Sequence, residues 1–182
     1  TFTEEEPMGE CGALWRIFKE LNETFLFVNG DIIFKMDLKR LFYFHFNIKS
    51  KFTLVSHTTT HYHDSDLIIS TDGSLIDSLI FKNFPNKNLK NDEEAYLGNA
   101  GLACINKEIL TKFEPPNTIN RSSLFNYLAF QYFESGKNLY TYISSEYIKD
   151  MGTEKRFRQV ENSIKSNELE FRCYKNEQKA LF

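Results

Sequence analysis

Two aspartates carry the clearest candidate chemistry in the chain, because each lies where a regular element is expected to end or begin. Asp31 follows Gly30 directly after an apolar run, and Asp150 precedes a helix that Thr153 could cap. Mg²⁺ commonly uses one or two protein carboxylates and takes its other ligands from phosphates and water. Each segment alone also fits an ordinary turn or helix start. Two such carboxylates together favour a magnesium site.

Two glycine-bearing segments could let a ligand approach the backbone. Asn99, Ala100 and Gly101 interrupt an apolar strand pattern, where a glycine permits either a close ligand or a β-bulge. Gly9 and Gly12 precede a predicted helix, and glycines there can let backbone N–H groups approach a nucleotide. Their spacing does not match a Walker or dinucleotide fingerprint, so alone they are a weak indication.

Other polar residues offer less specific chemistry. The segment from His57 to Asp66 contains three histidines and two aspartates, which could coordinate a transition metal. No cysteine or second spaced cluster completes such a site, so we expect a solvated loop. Lys82 follows a predicted strand and could bind a phosphate, although a solvated lysine is the ordinary alternative.

Composition excludes several classes of protein. The 182 residues fit one domain, and a net charge of −3 without any basic block argues against nucleic acid binding. No apolar run is long enough to cross a membrane. Cys11, Cys104 and Cys173 are far apart, which favours reduced thiols in a cytosolic protein. The acidic first ten residues lack an apolar stretch and an initiator Met, so we expect a fragment without a signal peptide.

Apolar periodicity predicts alternating strands and helices. This alternation indicates an α/β fold with a mostly parallel mixed sheet, flanked by helices and carrying one antiparallel hairpin. Ligands of such sheets bind beyond the carboxyl ends of the strands. The predicted strands are 25–28, 52–56, 67–70, 75–81, 99–105 and 139–143, and the predicted helices are 12–21, one capped by Asp37, 107–112, 122–134 and one capped by Thr153.

In order along the chain, these segments resemble the sugar-1-phosphate nucleotidyltransferase family. The resemblance rests on 7–13, Gly30-Asp31, the neighbourhood of Lys82, 99–101 and 150–153. It implies a Rossmann-like nucleotidyltransferase fold and transfer of a nucleoside monophosphate from an NTP to a sugar 1-phosphate, with release of pyrophosphate. The implied roles are metal binding and catalysis for Asp31 and Asp150 with Mg²⁺, catalysis for Lys82, nucleotide binding for Gly9, Gly12 and Gly30, and sugar binding for Asn99, Gly101 and Thr153.

Two longer segments, 61–68 and 146–153, are similar to the branch that acts on heptose 1-phosphate in GDP-heptose synthesis. That likeness implies GTP and heptose 1-phosphate as the substrates and a role in cell-surface polysaccharide biosynthesis. Some members of the branch are fused to a haloacid-dehalogenase-type heptose bisphosphate phosphatase, and 178–182 is similar to the strand before its nucleophilic Asp. The expected domains are therefore a nucleotidyltransferase over 1–175 and the start of a possible phosphatase over 176–182.

The chain also departs from the family pattern. Glu10 and Cys11 replace a Thr-Ala pair, and 83–85 separates Lys82 from the expected proline position. The family's Gly-rich signature, which grips the triphosphate, is not in the chain, so we expect a fold incomplete at the N-terminus and impaired turnover. The alternatives are a non-catalytic sugar-nucleotide-binding domain and the nucleotidyltransferase half of a bifunctional heptose 1,7-bisphosphate phosphatase.

Overall fold

A computed structural model describes residues 1–4, 6–60, 62–82, 96–116 and 123–166. The chain divides into two units, one formed by 1–30 and 37–145 and the other by 31–36 and 146–182. The predicted domain boundary at residue 175 lies outside the described residues.

Six strands of the first unit form one mixed sheet. They are β1 (Thr24–Val28), β3 (Phe52–Thr58), β4 (Leu67–Ile69), β5 (Ser78–Ile80), β6 (Leu97–Asn106) and β7 (Tyr140–Ile143). The strand order is β5-β4-β6-β3-β7, and β1 also pairs with β6. Strand β1 lies against 102–106 of β6 and β4 against 97–98, so the two share one edge of that long strand.

The predicted class, an α/β fold with a mixed sheet flanked by helices, is confirmed, but the expectation of a mostly parallel sheet is wrong for the described residues. Among the described residues, β3 and β7 are parallel and the other ladders are antiparallel. Strand β1, predicted over 25–28 within a mostly parallel sheet, is antiparallel to β6, and of its residues only Phe27 is buried. Strand direction depends on the partner strand, and a short apolar run fits more than one kind of buried segment. The β4–β5 hairpin is antiparallel, as predicted.

Helices surround the sheet of the first unit. They are α1 (Ala13–Arg16), α2 (Leu38–Asn47) and α3 (Phe130–Glu134), with 3₁₀-helices at Phe18–Glu20 and Lys107–Thr111 and a π-helix at Leu124–Ala129. The helix predicted over 12–21 is interrupted at Ile17, whose φ of −95° and ψ of 15° lie outside the α region. Asp37 caps α2 as predicted, since its carboxylate accepts from the backbone N–H groups of Lys39 and Arg40.

The core of the first unit is apolar and includes two thiols. Cys11 and Cys104 are buried and free, and burial raises the pKa of each to about 12. Cys173 lies outside the described residues. The buried core residues include Leu14, Phe27, Phe52, Leu54, Ile68, Ala103, Ile105, Leu128 and Leu139. Across the described part of the chain, no helix has the length and hydropathy to cross a membrane.

The described part of the second unit contains a two-stranded antiparallel ladder followed by a helix. Strands β2 (Ile32–Lys35) and β8 (Tyr147–Asp150) pair with Ile32 opposite Asp150. Neither strand was predicted. Helix α4 (Glu154–Lys165) follows and is capped by Thr153, as expected from the sequence. Among the apolar residues of α4, Val160 is buried while Phe157 and Ile164 are exposed.

Candidate functional site

The structure brings the two predicted metal ligands together within the second unit. A Cβ built on Gly152 would lie 3.0 Å from Asp31 Oδ2 and 3.1 Å from Asp150 Oδ1. The two oxygens are therefore at most about 6 Å apart, since both flank the same point. Two carboxylate oxygens facing a residue without a side chain form a cradle of hard donors, the ligand type that Mg²⁺ prefers.

The end of the β2–β8 ladder produces this convergence. The Met151 N–H donates to the Asp31 carbonyl at 2.8 Å, one step beyond the pair Ile32–Asp150. Regular pleating would send Asp31 and Asp150 to opposite faces. However, β8 ends at Asp150, and the Gly152 N–H donates to Asp150 Oδ1 in an Asx-type turn. This turn directs the Asp150 carboxylate towards Gly152 and the Asp31 side.

Arg156 and Thr153 support the same turn. The Arg156 guanidinium donates to Asp150 Oδ2 at 3.0 Å, so the two oxygens of that carboxylate have different partners. The Thr153 hydroxyl accepts from the Arg156 N–H at 3.3 Å and caps α4. Thr153, predicted to bind sugar, thus has a structural role in the fold, and its sugar contact stays a prediction.

In the first unit, the segment 99–101 lies where the carboxyl ends of several strands meet. Strands β1 and β3 are both antiparallel to β6, and β7 is parallel to β3, so these three strands run in the same direction. The β3–β6 register passes from Leu54–Ala103 to Ser56–Asn99, which is a bulge on β6. Gly101 has a φ of +73° within it, a conformation that favours glycine. Segment 99–101 therefore contains a β-bulge, and bulges are common beside ligand sites.

Hydrogen bonds connect this bulge to two other predicted residues. The Asn29 N–H, next to Gly30, donates to the Gly101 carbonyl at 2.9 Å. Asp66 contacts both Asn99 and Lys82, because its carbonyl accepts from the Asn99 N–H at 2.9 Å and its Oδ1 from the Lys82 N–H at 2.8 Å. Asp66 thus links the backbones of Lys82 and Asn99, and the residue before Gly30 is bonded to Gly101.

Among the described residues, we find no hydrogen bond that connects Gly9 or Gly12 to this bulge. Gly9 has a φ of +72°, and a Cβ on Gly12 would lie 2.2 Å from the Met8 carbonyl oxygen. Both glycines are therefore explained by a tight turn before α1. With four residues, α1 is much shorter than the helix on which the predicted N-terminal nucleotide contact depended. Their nucleotide role remains a prediction.

The histidine-rich segment forms no metal cluster among the residues that the structure describes. His57 Nδ1 lies 2.7 Å from the Thr58 carbonyl, and His61 is outside the described residues. Neither Arg156 nor the role of Gly152 was predicted from the sequence. Their signal was local: Thr153 as a helix cap fixes the first turn of α4, which carries Arg156 close to Asp150.

No protein-family model matches the chain. The D-glycero-alpha-D-manno-heptose 1-phosphate guanylyltransferase of Aneurinibacillus thermoaerophilus is 26% identical over 163 residues, which are 88% of this chain and 65% of that protein. The chain therefore spans just under two thirds of the length of this curated relative.

Solved structures share the fold. The HddC structure from Yersinia pseudotuberculosis complexed with GMP-PN matches with a TM-score of 0.66 at 16% identity, over 90% of this chain and 65% of that one. A putative glucose-1-phosphate thymidylyltransferase from Bacillus anthracis, in complex with a sucrose, matches with a TM-score of 0.71 at 16% identity, over 94% and 66%. At this identity the two likenesses establish the fold alone.

The chain has the Rossmann-like fold found in sugar-1-phosphate nucleotidyltransferases, and its resemblance to that family is confirmed. The curated relative comes from the heptose 1-phosphate guanylyltransferase branch that segments 61–68 and 146–153 indicated.

Proposed function

We propose that the protein is a sugar-1-phosphate nucleotidyltransferase. It transfers a nucleoside monophosphate from an NTP to a sugar 1-phosphate: the sugar phosphate oxygen attacks the α-phosphorus, and pyrophosphate leaves. The observation that carries the proposal is the convergence of Asp31 and Asp150 at Gly152. The curated relative's name supports heptose 1-phosphate as the sugar substrate and GTP as the nucleotide.

The residues present fit a magnesium ion. The donors are carboxylate oxygens, and the absent side chain of Gly152 leaves the space between them uncovered. Asp31 and Asp150 would hold the ion, which when bound supplies positive charge that aligns phosphates and stabilises the charge developing on them. The ladder of β2 and β8 contributes rigidity, because it fixes the backbone of both ligands.

The other predicted site residues bind and orient the two substrates. Asn99 offers its side-chain NH₂ group to sugar hydroxyls, while its Oδ1 accepts from the Gly101 N–H at 3.3 Å. Gly101 is assigned to the sugar through the bulge that it shapes, and Thr153 is assigned to the same substrate. Lys82 offers a cation to a phosphate, and Asp66 holds its backbone. Gly30 leaves uncovered backbone for the nucleotide, since a Cβ there would meet nothing within 4 Å. Gly9 and Gly12 are assigned to the nucleotide by the family resemblance alone, because Met8 already packs against Gly12.

Pyrophosphate release by the full-length protein tests this proposal. With GTP, heptose 1-phosphate and Mg²⁺ we expect turnover, and Asp31→Asn and Asp150→Asn should each reduce it by roughly 100-fold or more, beyond the usual cost of losing an outer-shell partner. Glu161→Gln is a matched control, because Glu161 is a carboxylate of the same unit that pairs with Lys165 on α4. It should retain wild-type turnover.

Wild-type turnover by both aspartate variants would remove them from the mechanism and with them the observation that carries the proposal. Tight binding of a nucleotide sugar with no turnover of any NTP and sugar 1-phosphate would instead establish a non-catalytic binding domain. A panel of sugar 1-phosphates and NTPs tests the finer assignment, which requires the highest kcat/KM for heptose 1-phosphate with GTP.

A further inference from the structure

Arg156 donates a hydrogen bond to Asp150, one of the two proposed metal ligands. Its Nη1 lies 3.0 Å from Asp150 Oδ2. The other oxygen, Oδ1, accepts from the Gly152 N–H and faces the cradle that it shares with Asp31. The Asp150 carboxylate is thus held at both oxygens by donors, and its rotation would break both hydrogen bonds.

We propose that Arg156 is a positioning residue for metal binding, which keeps Asp150 Oδ1 turned towards Asp31 Oδ2. This inference rests on the proposed function and names a residue outside the family motif on which the function was argued. Arg156 acts through Asp150 and is not itself assigned a contact with substrate.

The local structure explains how Arg156 reaches this carboxylate. Thr153 is the N-cap of α4, and its hydroxyl accepts from the backbone N–H of Arg156, the third residue of the helix. This bond fixes the first helical turn relative to the residues just before it. The long Arg156 side chain then reaches back to Asp150, six residues earlier.

Two opposing effects decide what loss of Arg156 does to metal affinity. A cation beside a metal ligand repels the ion, so its removal alone would strengthen binding. However, the side chains of Arg156 and Asp150 are 40% and 42% exposed, and charge interactions of such pairs are strongly screened. Loss of a hydrogen bond that orients a ligand costs about 10- to 100-fold in metal affinity or activity. Positioning therefore outweighs repulsion.

Direct titration of the full-length protein with Mn²⁺, followed by electron paramagnetic resonance without substrates, tests the inference. Arg156→Gln should weaken binding by at least about 10-fold, and Arg156→Lys should restore part of it, because lysine keeps the charge but not the planar fork. Arg158→Gln is the matched control: Arg158 lies two residues away on α4 and pairs with Glu154. It should bind Mn²⁺ as the wild type does.

The outcomes separate this inference from the proposed function. Suppose that Asp31→Asn and Asp150→Asn lose Mn²⁺ binding while Arg156→Gln binds Mn²⁺ as tightly as the wild type, or more tightly. The positioning role of Arg156 is then wrong, but the proposed metal site of the two aspartates is supported. If the aspartate variants bind normally, the proposed metal site itself is wrong. Thermal unfolding in EDTA shows whether Arg156→Gln is folded; if it is not, equal Mn²⁺ affinity of folded Arg156→Lys and wild type overturns the positioning role.

Discussion

Asp31 Oδ2 and Asp150 Oδ1 lie 3.0 and 3.1 Å from the same point, the position that a Cβ on Gly152 would occupy. The two aspartates are 119 positions apart in the chain, and the pairing of β2 with β8 joins them. A glycine at 152 is therefore part of the cradle, since any side chain there would occupy the space between the carboxylates.

Gly152→Ala tests that space. Its Cβ would meet two flexible side-chain oxygens rather than backbone, so the fold should accept it while the carboxylates move apart. We expect Mn²⁺ affinity to fall by about 10-fold or more, the effect of disturbing ligand orientation, with an unfolding midpoint close to that of the wild type. Unchanged Mn²⁺ affinity in the folded variant would show that the space is not needed.

Gly101→Ala tests the role of the β6 bulge. Gly101 and Gly136 both have a φ of +73°, where a Cβ costs about 1 to 2 kcal/mol. Both alanine variants should lose this much unfolding free energy in denaturant titrations. Gly101→Ala should in addition raise KM for the sugar 1-phosphate, whereas Gly136→Ala, at the end of α3, should not. Equal KM values for the two variants would leave the bulge a purely structural feature.

The buried side chain of His45 should make the folded protein less stable in acid. It is 1% exposed and its Nδ1 lies 2.8 Å from Thr53 Oγ1; burial, with a smaller contribution from Lys51, lowers its pKa to about 4. Between pH 6.5 and 4 the unfolded chain binds a proton that the folded chain does not. Stability should therefore fall with decreasing pH across this window, by up to about 3 kcal/mol from this residue.

The variant His45→Gln isolates this contribution, because glutamine can hydrogen-bond Thr53 but does not titrate. Urea titrations from pH 7 to 4 should give a shallower loss of unfolding free energy for His45→Gln than for the wild type. Parallel pH dependence of the two proteins would contradict a buried, neutral His45.

Local signals in the sequence were sufficient for part of the fold. Asp37 and Thr153 cap helices through their own side chains and near neighbours, so their residue types predict the helix starts. The longer apolar runs of β3 and β6 predict strands for a similar reason. In contrast, β2 and β8 are four residues each and are stabilised by partners more than a hundred residues away. Such pairing is invisible to a local pattern.

The candidate site was likewise predictable from the sequence only in part. The family resemblance named Asp31 and Asp150, and the β2–β8 ladder gives the physical reason that they meet. The resemblance did not name Arg156, since its contact depends on the reach of one side chain across the α4 cap. The direction of β1 was also not predictable, because its five residues fit either a parallel or an antiparallel neighbour.

A double-mutant cycle of Mn²⁺ affinity determines whether Asp31 and Asp150 share one divalent ion. We expect Asp31→Asn and Asp150→Asn each to weaken binding strongly and the double variant to be little worse than either alone, because one site is lost in all three. Glu161→Gln should bind as the wild type does. Additive losses in the double variant, or Mn²⁺ binding by either single variant at wild-type affinity, would contradict a shared ion.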